Sequence, residues 1–301
     1  MNIRETVQKA LEKKTVIPAY NIPYLPMVKP IIQAVIDENS VAMIQVARVE
    51  WEKFSSESLE AVAKEYHLYA NAQHTFLHLD HVPAIDEDFI EVDYIPIIKR
   101  AIDCGFQSVM IDASRLNLGK NIEVTAEVSS IAHAAGIPCE AELGSVMGHE
   151  SGEMLPYEEI FKTKKGFTDI DEAKEFAQKS NCDWLSVAVG SIHGAVAEAT
   201  RHQKKPEAKL DIDHIIALQK ATNMPLVLHG GSGINKECIL KGIANGIAKI
   251  NVGTELRQVY EQAIAGEKDI EKARMAVYLR TRELITEFLM IQNSRDLIFK
   301  R

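Results

Sequence analysis

The chain has 301 residues, and its 34 lysines and arginines against 43 aspartates and glutamates give a formal charge of −9. With 46% hydrophobic and 26% charged residues, it has the composition of a soluble globular protein. No apolar run approaches the roughly 18 residues of a membrane-spanning helix, and the scattered basic residues of this acidic chain argue against a nucleic-acid-binding surface.

The N-terminal segment, MNIRETVQKALEKK, predicts a polar amphipathic helix and lacks the apolar core of a signal peptide. The four cysteines contain no CxxC pair, which favours reduced thiols over a disulfide framework or a zinc knuckle. We therefore expect a cytoplasmic protein that is neither secreted nor inserted in a membrane.

Eight short apolar runs recur along the chain, and amphipathic stretches with helical spacing separate them. Runs that are apolar at successive positions are typical of parallel strands buried on both faces. The runs are VIPAYN from Val16, VAMIQVA from Val41, TFLHLDH from Thr75, SVMIDA from Ser108, PCEAEL from Pro138, WLSVAVG from Trp184, PLVLHG from Pro225 and IAKINVGT from Ile247.

Capping residues support this alternation of strands and helices. Thr168 or Asp169 is placed to cap one helix, and Asn235 to cap another that ends at Gly246. Eight β/α units without a linker predict a single (β/α)8 TIM barrel over residues 1–301, with a C-terminal helical extension. The alternative, a doubly wound open sheet, usually has fewer strands and a glycine-rich turn after the first strand, which PAYNIPY is not.

Three histidines are predicted at the carboxyl ends of strands three, six and seven: His81, His193 and His229. Active sites of TIM barrels lie at that end, and three neutral imidazoles with one open position describe a catalytic zinc site. A single strand histidine is more often a hydrogen-bonded core residue, but three at one face favour a metal site. His78 precedes His81 by three residues, so we expect it to point to the other side of the strand and to be structural.

The glycine-rich segment HGGSG from His229 and the segment NVGT from Asn251 predict a phosphate pocket. Glycines allow backbone N–H groups to approach an anion, and barrels commonly bind phosphate with the loops after strands seven and eight. The long segment from Gly144 to Gly166 has two interpretations, a solvated connection or a flap with glycine hinges that carries Glu150 towards the metal.

Taken together, these motifs resemble those of the zinc-dependent class II ketose-bisphosphate aldolases, which include fructose-bisphosphate and tagatose-bisphosphate enzymes. The resemblance runs from Asn21 to Arg257 and rests on the order and spacing of several motifs. These are HLDH, SVMIDAS, EAELGSVMGHESG, VAVGSIHG, LVLHGGSG and KINVGTEL. It implies the same barrel fold, and assembly as a homodimer or homotetramer.

The resemblance also implies roles for individual residues. His81, His193 and His229 match the zinc ligands. Glu142 matches a carboxylate near the metal, and Asp112 one that meets a second cation, for which a monovalent ion is the candidate. Asp80 matches the acid/base at the substrate hydroxyl, and Glu150 the loop residue that moves the proton on the enediolate carbon. The substrate-binding segments are matched by Asn21, Gly194, Gly230, Gly231, Ser232, Asn251, Val252, Gly253 and Thr254.

Several positions depart from the family pattern. Val82 and Pro83 follow HLDH where the family usually has glycine, and Ala113 replaces a glycine. The second strand runs into Gln45–Trp51 where the family usually has a serine of the phosphate pocket, so Arg48 is a candidate to contact a different group such as a carboxylate. A proline–arginine step before the last helices is missing, and Arg274 or Arg280 is a candidate replacement. These departures affect the far end of the substrate.

We therefore expect a lyase that reversibly cleaves a phosphorylated ketose, of the fructose or tagatose 1,6-bisphosphate type, into dihydroxyacetone phosphate and an aldehyde. The resemblance places such an enzyme in carbohydrate metabolism, including glycolysis. One alternative is a non-catalytic or regulatory aldolase-like barrel, which would need neither Asp80 nor three histidines. The other is a zinc-dependent barrel hydrolase, which is expected to show an HxH pair at the first strand, where this chain has PAYN.

Overall fold

We describe a computed structural model of the chain, and it covers residues 2–144, 157–191, 208–231, 233–266 and 268–300. The N-terminal helix spans Ile3–Glu12, as predicted, and Asn2 caps it by accepting a hydrogen bond from the backbone N–H of Arg4. Its buried face packs against alternate residues of the strands in a compact apolar cluster that includes Phe76 and Trp184. This helix therefore covers apolar side chains of the strands.

The eight predicted runs form eight parallel strands that close into a barrel in chain order. Almost every strand residue is buried, because the strands have helices on one side and the barrel interior on the other. The (β/α)8 TIM barrel is thus confirmed. The strands are β1 Ile17–Asn21, β2 Ala42–Ala47, β3 Thr75–Pro83, β4 Ser108–Asp112, β5 Cys139–Leu143, β6 Trp184–Val187, β7 Leu226–Leu228 and β8 Ile247–Val252.

The helices between the strands begin at capping side chains, as the sequence indicates. Asp169, not Thr168, caps its helix by accepting from two backbone N–H groups, while the Thr168 hydroxyl bonds Leu143 O at 2.6 Å. Asn235 caps the next predicted helix. Among the described residues the helices from β1 to β8 are Val28–Asp37, Arg48–Lys53, Leu59–Tyr69, Tyr94–Asp103, Leu118–Ala134, Tyr157–Thr163, Ile170–Lys179, Ile212–Thr222 and Lys236–Ala244.

Strand β3 has an irregularity that matters for the site. Its pairing with β4 shifts register between Leu79 and Val82, which is the signature of a β-bulge. Regular alternation would place Asp80 and His81 on opposite faces of the strand. Donor atoms of both residues nevertheless lie within 4.8 Å of one another and of His229. The bulge accounts for two adjacent residues reaching one site.

The chain continues past β8 into the helices Thr254–Ile264, Ile270–Glu283 and Ser294–Phe299. Glu38, which follows the helix after β1, is 2% exposed and forms hydrogen bonds that attach this extension to the barrel. Its carboxylate accepts from Arg282 Nε and, at 2.6 Å, from Gln292 Nε2, and its carbonyl accepts from Asn293 N at 3.0 Å. In the part of the chain described, no helix has the length and apolar character needed to cross a bilayer.

Candidate active site

The carboxylate of Asp80 lies near the carboxyl end of β3, where amide groups from β1 and β8 hold both of its oxygens. Asn21 Nδ2 donates to Asp80 Oδ2 at 2.9 Å, and Asn251 Nδ2 donates to Asp80 Oδ1 at 3.0 Å. Gln45 in β2 fixes the first amide, because its Nε2 donates to Asn21 Oδ1 at 2.8 Å. Asp80 is 2% exposed, so this network sets its position.

Asp80 is held in its ionised form. Burial alone would raise the pKa of Asp80, but the charges of His81, Lys249, His229 and His78 outweigh it and lower that pKa to about 2. The two amide donors add to this preference, since hydrogen bonds to a carboxylate stabilise its charged form. Asp80 therefore has the charge and the location of a base for a substrate hydroxyl.

Beside Asp80, two histidines and two carboxylates converge from β3, β4, β5 and the end of β7. The rings of His81 and His229 have centroids 4.6 Å apart. His81 Nδ1 lies 3.4 Å from Asp112 Oδ2 and His81 Nε2 lies 4.0 Å from Glu142 Oε2. His229 Nδ1 lies 3.0 Å from the same Glu142 oxygen. Four of the five predicted metal-site residues thus meet.

The electrostatics of this group fit a divalent cation. Burial would lower the pKa of His81, but the carboxylates of Asp80, Asp112 and Glu142 raise it to about 10. Burial and the charge of His81 would lower the pKa of His229, but Glu140 and Glu142 outweigh them and raise it. The carboxylates therefore draw protons onto both rings. A metal ion would supply the same positive charge and leave the imidazoles neutral, as ligation requires.

The donor atoms are close enough for this role. Asp80, His81 and His229 place one ligand atom each within 4.8 Å of one another, and so do His81, Asp112 and Glu142. Imidazole nitrogens with carboxylate oxygens are a donor set that suits zinc. The residues present therefore fit the metal that the sequence predicts.

Beneath this group lies a fully buried polar layer that sequence reasoning did not assign to the site. Glu140 in β5 accepts from Trp184 Nε1 at 2.6 Å, lies 2.9 Å from His229 Nε2, and pairs with Lys249 Nζ at 2.9 Å. A carboxylate behind a metal-binding histidine fixes the orientation of its ring. The signals were present in the sequence as a second glutamate two residues before Glu142 and a lysine within the apolar run of β8.

His78 belongs to this buried layer, which corrects the prediction that it points to the other side of the strand. It is fully buried, its Nε2 lies 3.5 Å from Glu140 Oε2, and its Nδ1 lies 2.8 Å from Ser108 Oγ. The prediction failed because it assumed that side chains alternate regularly between the two faces of β3. The bulge interrupts this alternation, so His78, Asp80 and His81 all face the same side.

Glu50 is a second residue that the sequence did not identify. It lies in the helix Arg48–Lys53, is 7% exposed, and its Oε2 accepts from the backbone N–H of Ala47 at 2.8 Å and from Asn21 Nδ2 at 3.4 Å. Burial raises the pKa of Glu50 to about 8, with the nearby charge of Asp80 adding to the rise. Asn21 thus bridges an ionised and a neutral carboxyl group.

The segments after β7 and β8 bring glycines and a helix N-terminus to the same end of the barrel. Gly230 has φ of +68°, and a Cβ on Gly253 would lie 3.3 Å from the side chain of Asn21. Val252 ends β8, and Thr254 begins an 11-residue helix. Backbone N–H groups at such a helix start favour an anion. The position of these segments is compatible with the predicted phosphate pocket.

Some predicted residues lie outside the described part of the chain. These are His193, Gly194, Glu150 and Ser232, so their predicted roles stay predictions. Gly231 is described, and a Cβ there would meet Ile250 Cδ1 at 3.0 Å. The described part of the site therefore contains two of the three predicted zinc-binding histidines.

The arginines considered for the far end of the substrate have protein partners. Arg48 Nε pairs with Glu52 at 2.9 Å and its Nη1 lies 3.3 Å from Asp86 Oδ2. Arg274 pairs with Glu271, and Arg280 with Glu255 and Glu283. Arg48 therefore joins the helix after β2 to the loop after β3.

Comparison with known proteins places the chain in a family. A relative from Shouchella clausii, 6-phospho-5-dehydro-2-deoxy-D-gluconate aldolase, is 37% identical over 187 residues, which cover 62% of this chain and 55% of the relative. The match thus spans little more than half of that relative's length.

Solved structures resemble the whole chain. The YdjI aldolase from Escherichia coli K12 is 29% identical with a TM-score of 0.76, covering 95% of this chain and 96% of the other. Fructose-bisphosphate aldolase from Campylobacter jejuni, at 17% identity and TM-score 0.74 over 97% and 95% of the two chains, shares the fold. The profile of the family described as fructose-bisphosphate aldolase class-II matches residues 1–295. The chain belongs to the class II fructose-bisphosphate aldolase family.

Proposed function

We propose that the protein is a zinc-dependent aldolase that reversibly cleaves a phosphorylated ketose into dihydroxyacetone phosphate and an aldehyde. The observation that carries the proposal is the ionised Asp80, held by Asn21 and Asn251, beside the converging His81 and His229. A carbon–carbon lyase of this class needs a base for the hydroxyl at the breaking bond and a cation near the ketone oxygen. The described residues offer such a base and candidate ligands for such a cation at one place.

In the cleavage direction, Asp80 takes the proton from the hydroxyl on the carbon that becomes the aldehyde. The electron pair of the breaking carbon–carbon bond moves into the ketone and yields the enediolate of dihydroxyacetone phosphate, and Asp80 returns its proton in condensation. His81, His193, His229 and Glu142 would hold zinc, which would supply Lewis-acid stabilisation of the developing negative charge. Asp112 would orient His81 or meet a monovalent cation, and Glu150 would protonate the enediolate carbon.

The phosphate of the dihydroxyacetone half is proposed to lie over β7 and β8. Gly230, Gly231, Ser232, Gly253 and Thr254 would bind it, because glycines and a helix N-terminus present backbone N–H groups there. The other half then lies near Asp80, on the side of β2 and β3. The remaining predicted contacts are Asn21, Gly194, Asn251 and Val252.

The aldehyde half is the part of the substrate on which two observations differ. The family description points to a fructose 1,6-bisphosphate type of substrate, with tagatose 1,6-bisphosphate as its stereoisomer, and hence to glyceraldehyde 3-phosphate. The relative from Shouchella clausii is named for a phosphorylated sugar acid, whose cleavage next to the ketone half yields 3-oxopropanoate. We propose a bisphosphate first, and the sugar acid phosphate as the second candidate.

A condensation assay tests the proposal. Purified protein is given dihydroxyacetone phosphate with glyceraldehyde 3-phosphate, 3-oxopropanoate or glyceraldehyde, before and after chelation and after zinc is restored. We expect product that disappears with EDTA and returns with zinc, and the preferred aldehyde then identifies the far group. Absence of product from every aldehyde, with zinc fully bound, would favour the regulatory barrel or the hydrolase instead.

The oligomeric state, the cellular location and the metabolic role of the protein are also proposals. A homodimer or homotetramer, a cytoplasmic location and a role in glycolysis or related carbohydrate metabolism follow from the family resemblance. Size-exclusion chromatography with light scattering would measure the first, and fractionation of cells the second.

A further inference from the structure

Lys249 is a charged residue in an unusual place, and the reaction described above does not use it. Its side chain lies in β8 with 0% exposure, among the largest fully buried side chains of the described residues. Lysines are almost never fully buried unless they are paired, because an ammonium group loses a large hydration energy on burial. The contacts that compensate for this loss therefore indicate what the residue does.

The ammonium group has three contacts. Lys249 Nζ lies 2.9 Å from Glu140 Oε2 and 3.1 Å from Glu140 Oε1, and it donates to Asn251 Oδ1 at 2.7 Å. An ammonium has three N–H donors and no acceptor. The ammonium group of Lys249 thus has two kinds of partner. The carboxylate of Glu140 is stabilised by its positive charge, whereas the amide oxygen of Asn251 only accepts a hydrogen bond from it.

The contact with Asn251 determines which way that amide faces. Because Lys249 only donates, it selects the orientation in which Asn251 Oδ1 points towards it, and Asn251 Nδ2 then donates to Asp80 Oδ1 at 3.0 Å. In the reversed orientation, the amide N–H groups would face the ammonium and the amide oxygen would face the carboxylate of Asp80. Both contacts would be repulsive.

We propose that Lys249 is a positioning residue for the reaction, and that it acts through Asn251 on Asp80. The proposal rests on the function proposed above. The competing explanation is structural, namely that Lys249 only neutralises the buried carboxylate of Glu140. The two explanations differ in whether the effect of losing Lys249 depends on Asn251.

A double-mutant cycle separates these explanations. The wild type, Lys249→Met, Asn251→Leu and the double variant are compared by the rate of condensation divided by the rate at which dihydroxyacetone phosphate exchanges its carbon-bound proton with solvent. The exchange does not involve the aldehyde oxygen, which receives the proton from Asp80 in condensation. Dividing by it removes general damage to the site.

If Lys249 acts through Asn251, each single change lowers this ratio about ten-fold, and the double change lowers it no further. Effects that multiply to about a hundred-fold, or an unchanged ratio in Lys249→Met, would overturn the proposal. Should Lys249→Met fail to fold because Glu140 is left unpaired, the same cycle is measured in the Glu140→Gln background.

A second measurement tests the positioning role without turnover. Hydrogen exchange of the Asn251 side-chain amide is followed by NMR in asparagine-labelled protein, and the signal is assigned by its loss in Asn251→Leu. We expect exchange at least ten-fold faster in Lys249→Met and unchanged in the surface control Lys29→Met. Equal exchange in Lys249→Met and wild type would overturn the proposal. Absence of condensation by the wild type would contradict the proposed function alone.

Discussion

The two sides of the barrel mouth hold their charged groups in different ways. On the histidine side, formed by Asp80, His81, Asp112, Glu142 and His229, each group lies close to groups at the ends of other strands. On the β2 side, formed by Arg48 and Glu50, most partners come from the turn into the helix, from the helix itself and from a loop. The five residues on the histidine side were predictable from the sequence, whereas the burial and the partners of Arg48 and Glu50 were not.

The largest expected effect is on the histidine side. Asp80→Ala removes the proposed proton carrier and no predicted zinc ligand, so zinc content should persist while condensation falls by roughly 10²–10⁴-fold. Turnover and metal content are measured on the same preparation. Asp88→Ala, which removes a carboxylate of the loop after β3 whose side chain is 67% exposed, is the control. A wild-type rate in Asp80→Ala would exclude its role as acid/base.

A second change tests whether the histidine side binds metal. His229→Ala should weaken zinc binding by more than the roughly 10–100-fold that losing an outer-shell partner costs. Zinc per chain is measured after dialysis against a competing chelator. His67→Ala is the matched control, because that histidine is exposed and bonds the carbonyl of Cys104 at the end of the helix Tyr94–Asp103. Equal zinc content in His229→Ala and wild type would remove His229 from the ligand set.

The β2 side should respond to pH rather than to metal. Glu50 has a pKa of about 8 in the folded protein against an ordinary value of 4.5. The folded chain therefore binds a proton there that the unfolded chain has released, so this contribution to stability is full below about pH 4.5 and is lost as the pH rises through about 8. Glu50→Gln should abolish this loss.

Urea unfolding at pH 5 and pH 8.5 measures the difference. Relative to Glu50→Gln, the wild-type free energy of unfolding should fall by on the order of 4 kcal/mol between these pH values. Glu52→Gln is the control, because the Glu52 side chain is 38% exposed. Parallel pH profiles for wild type and Glu50→Gln would show that Glu50 is not neutral in the folded state.

The smallest effect is expected at Arg48. Its ion pairs are partly exposed, so Arg48→Met should cost about 1 kcal/mol of stability or less. Because Glu52 and Asp86 already pair with the guanidinium, the KM for an anionic aldehyde should change by less than about three-fold. A KM raised ten-fold for glyceraldehyde 3-phosphate but not for glyceraldehyde would instead assign the far group of the substrate to the β2 side.

The sequence predicted the barrel because apolar runs and caps report local structure directly. The common location of Asp80, His81, Asp112, Glu142 and His229 was predictable for a related reason, since the carboxyl ends of parallel strands meet at one end of a barrel. The roles of Asp80, Asp112 and Glu142 were implied by the family resemblance.

What the sequence could not predict depended on geometry that no spacing encodes. His78 was misplaced because a bulge changes which residues share a side of β3. Glu50 was missed because the helix after β2 begins directly at Arg48 and turns that carboxyl group back towards Asn21. Lys249 was missed because its partner Glu140 is 109 positions away in the sequence, and the two residues meet only when β5 and β8 face the same barrel interior.

The attachment of the C-terminal extension at Glu38 has a consequence for biosynthesis. Gln292 lies 254 positions after Glu38 in the chain, and Asn293 follows it. Glu38 therefore has these partners for its carboxylate and its carbonyl only after the ribosome has added at least 254 further residues. Strand β1 likewise waits for β8 before the barrel closes. Until β8 has been synthesised, β1 therefore presents an unpaired sheet edge, which is the kind of surface that makes an incomplete chain prone to aggregation.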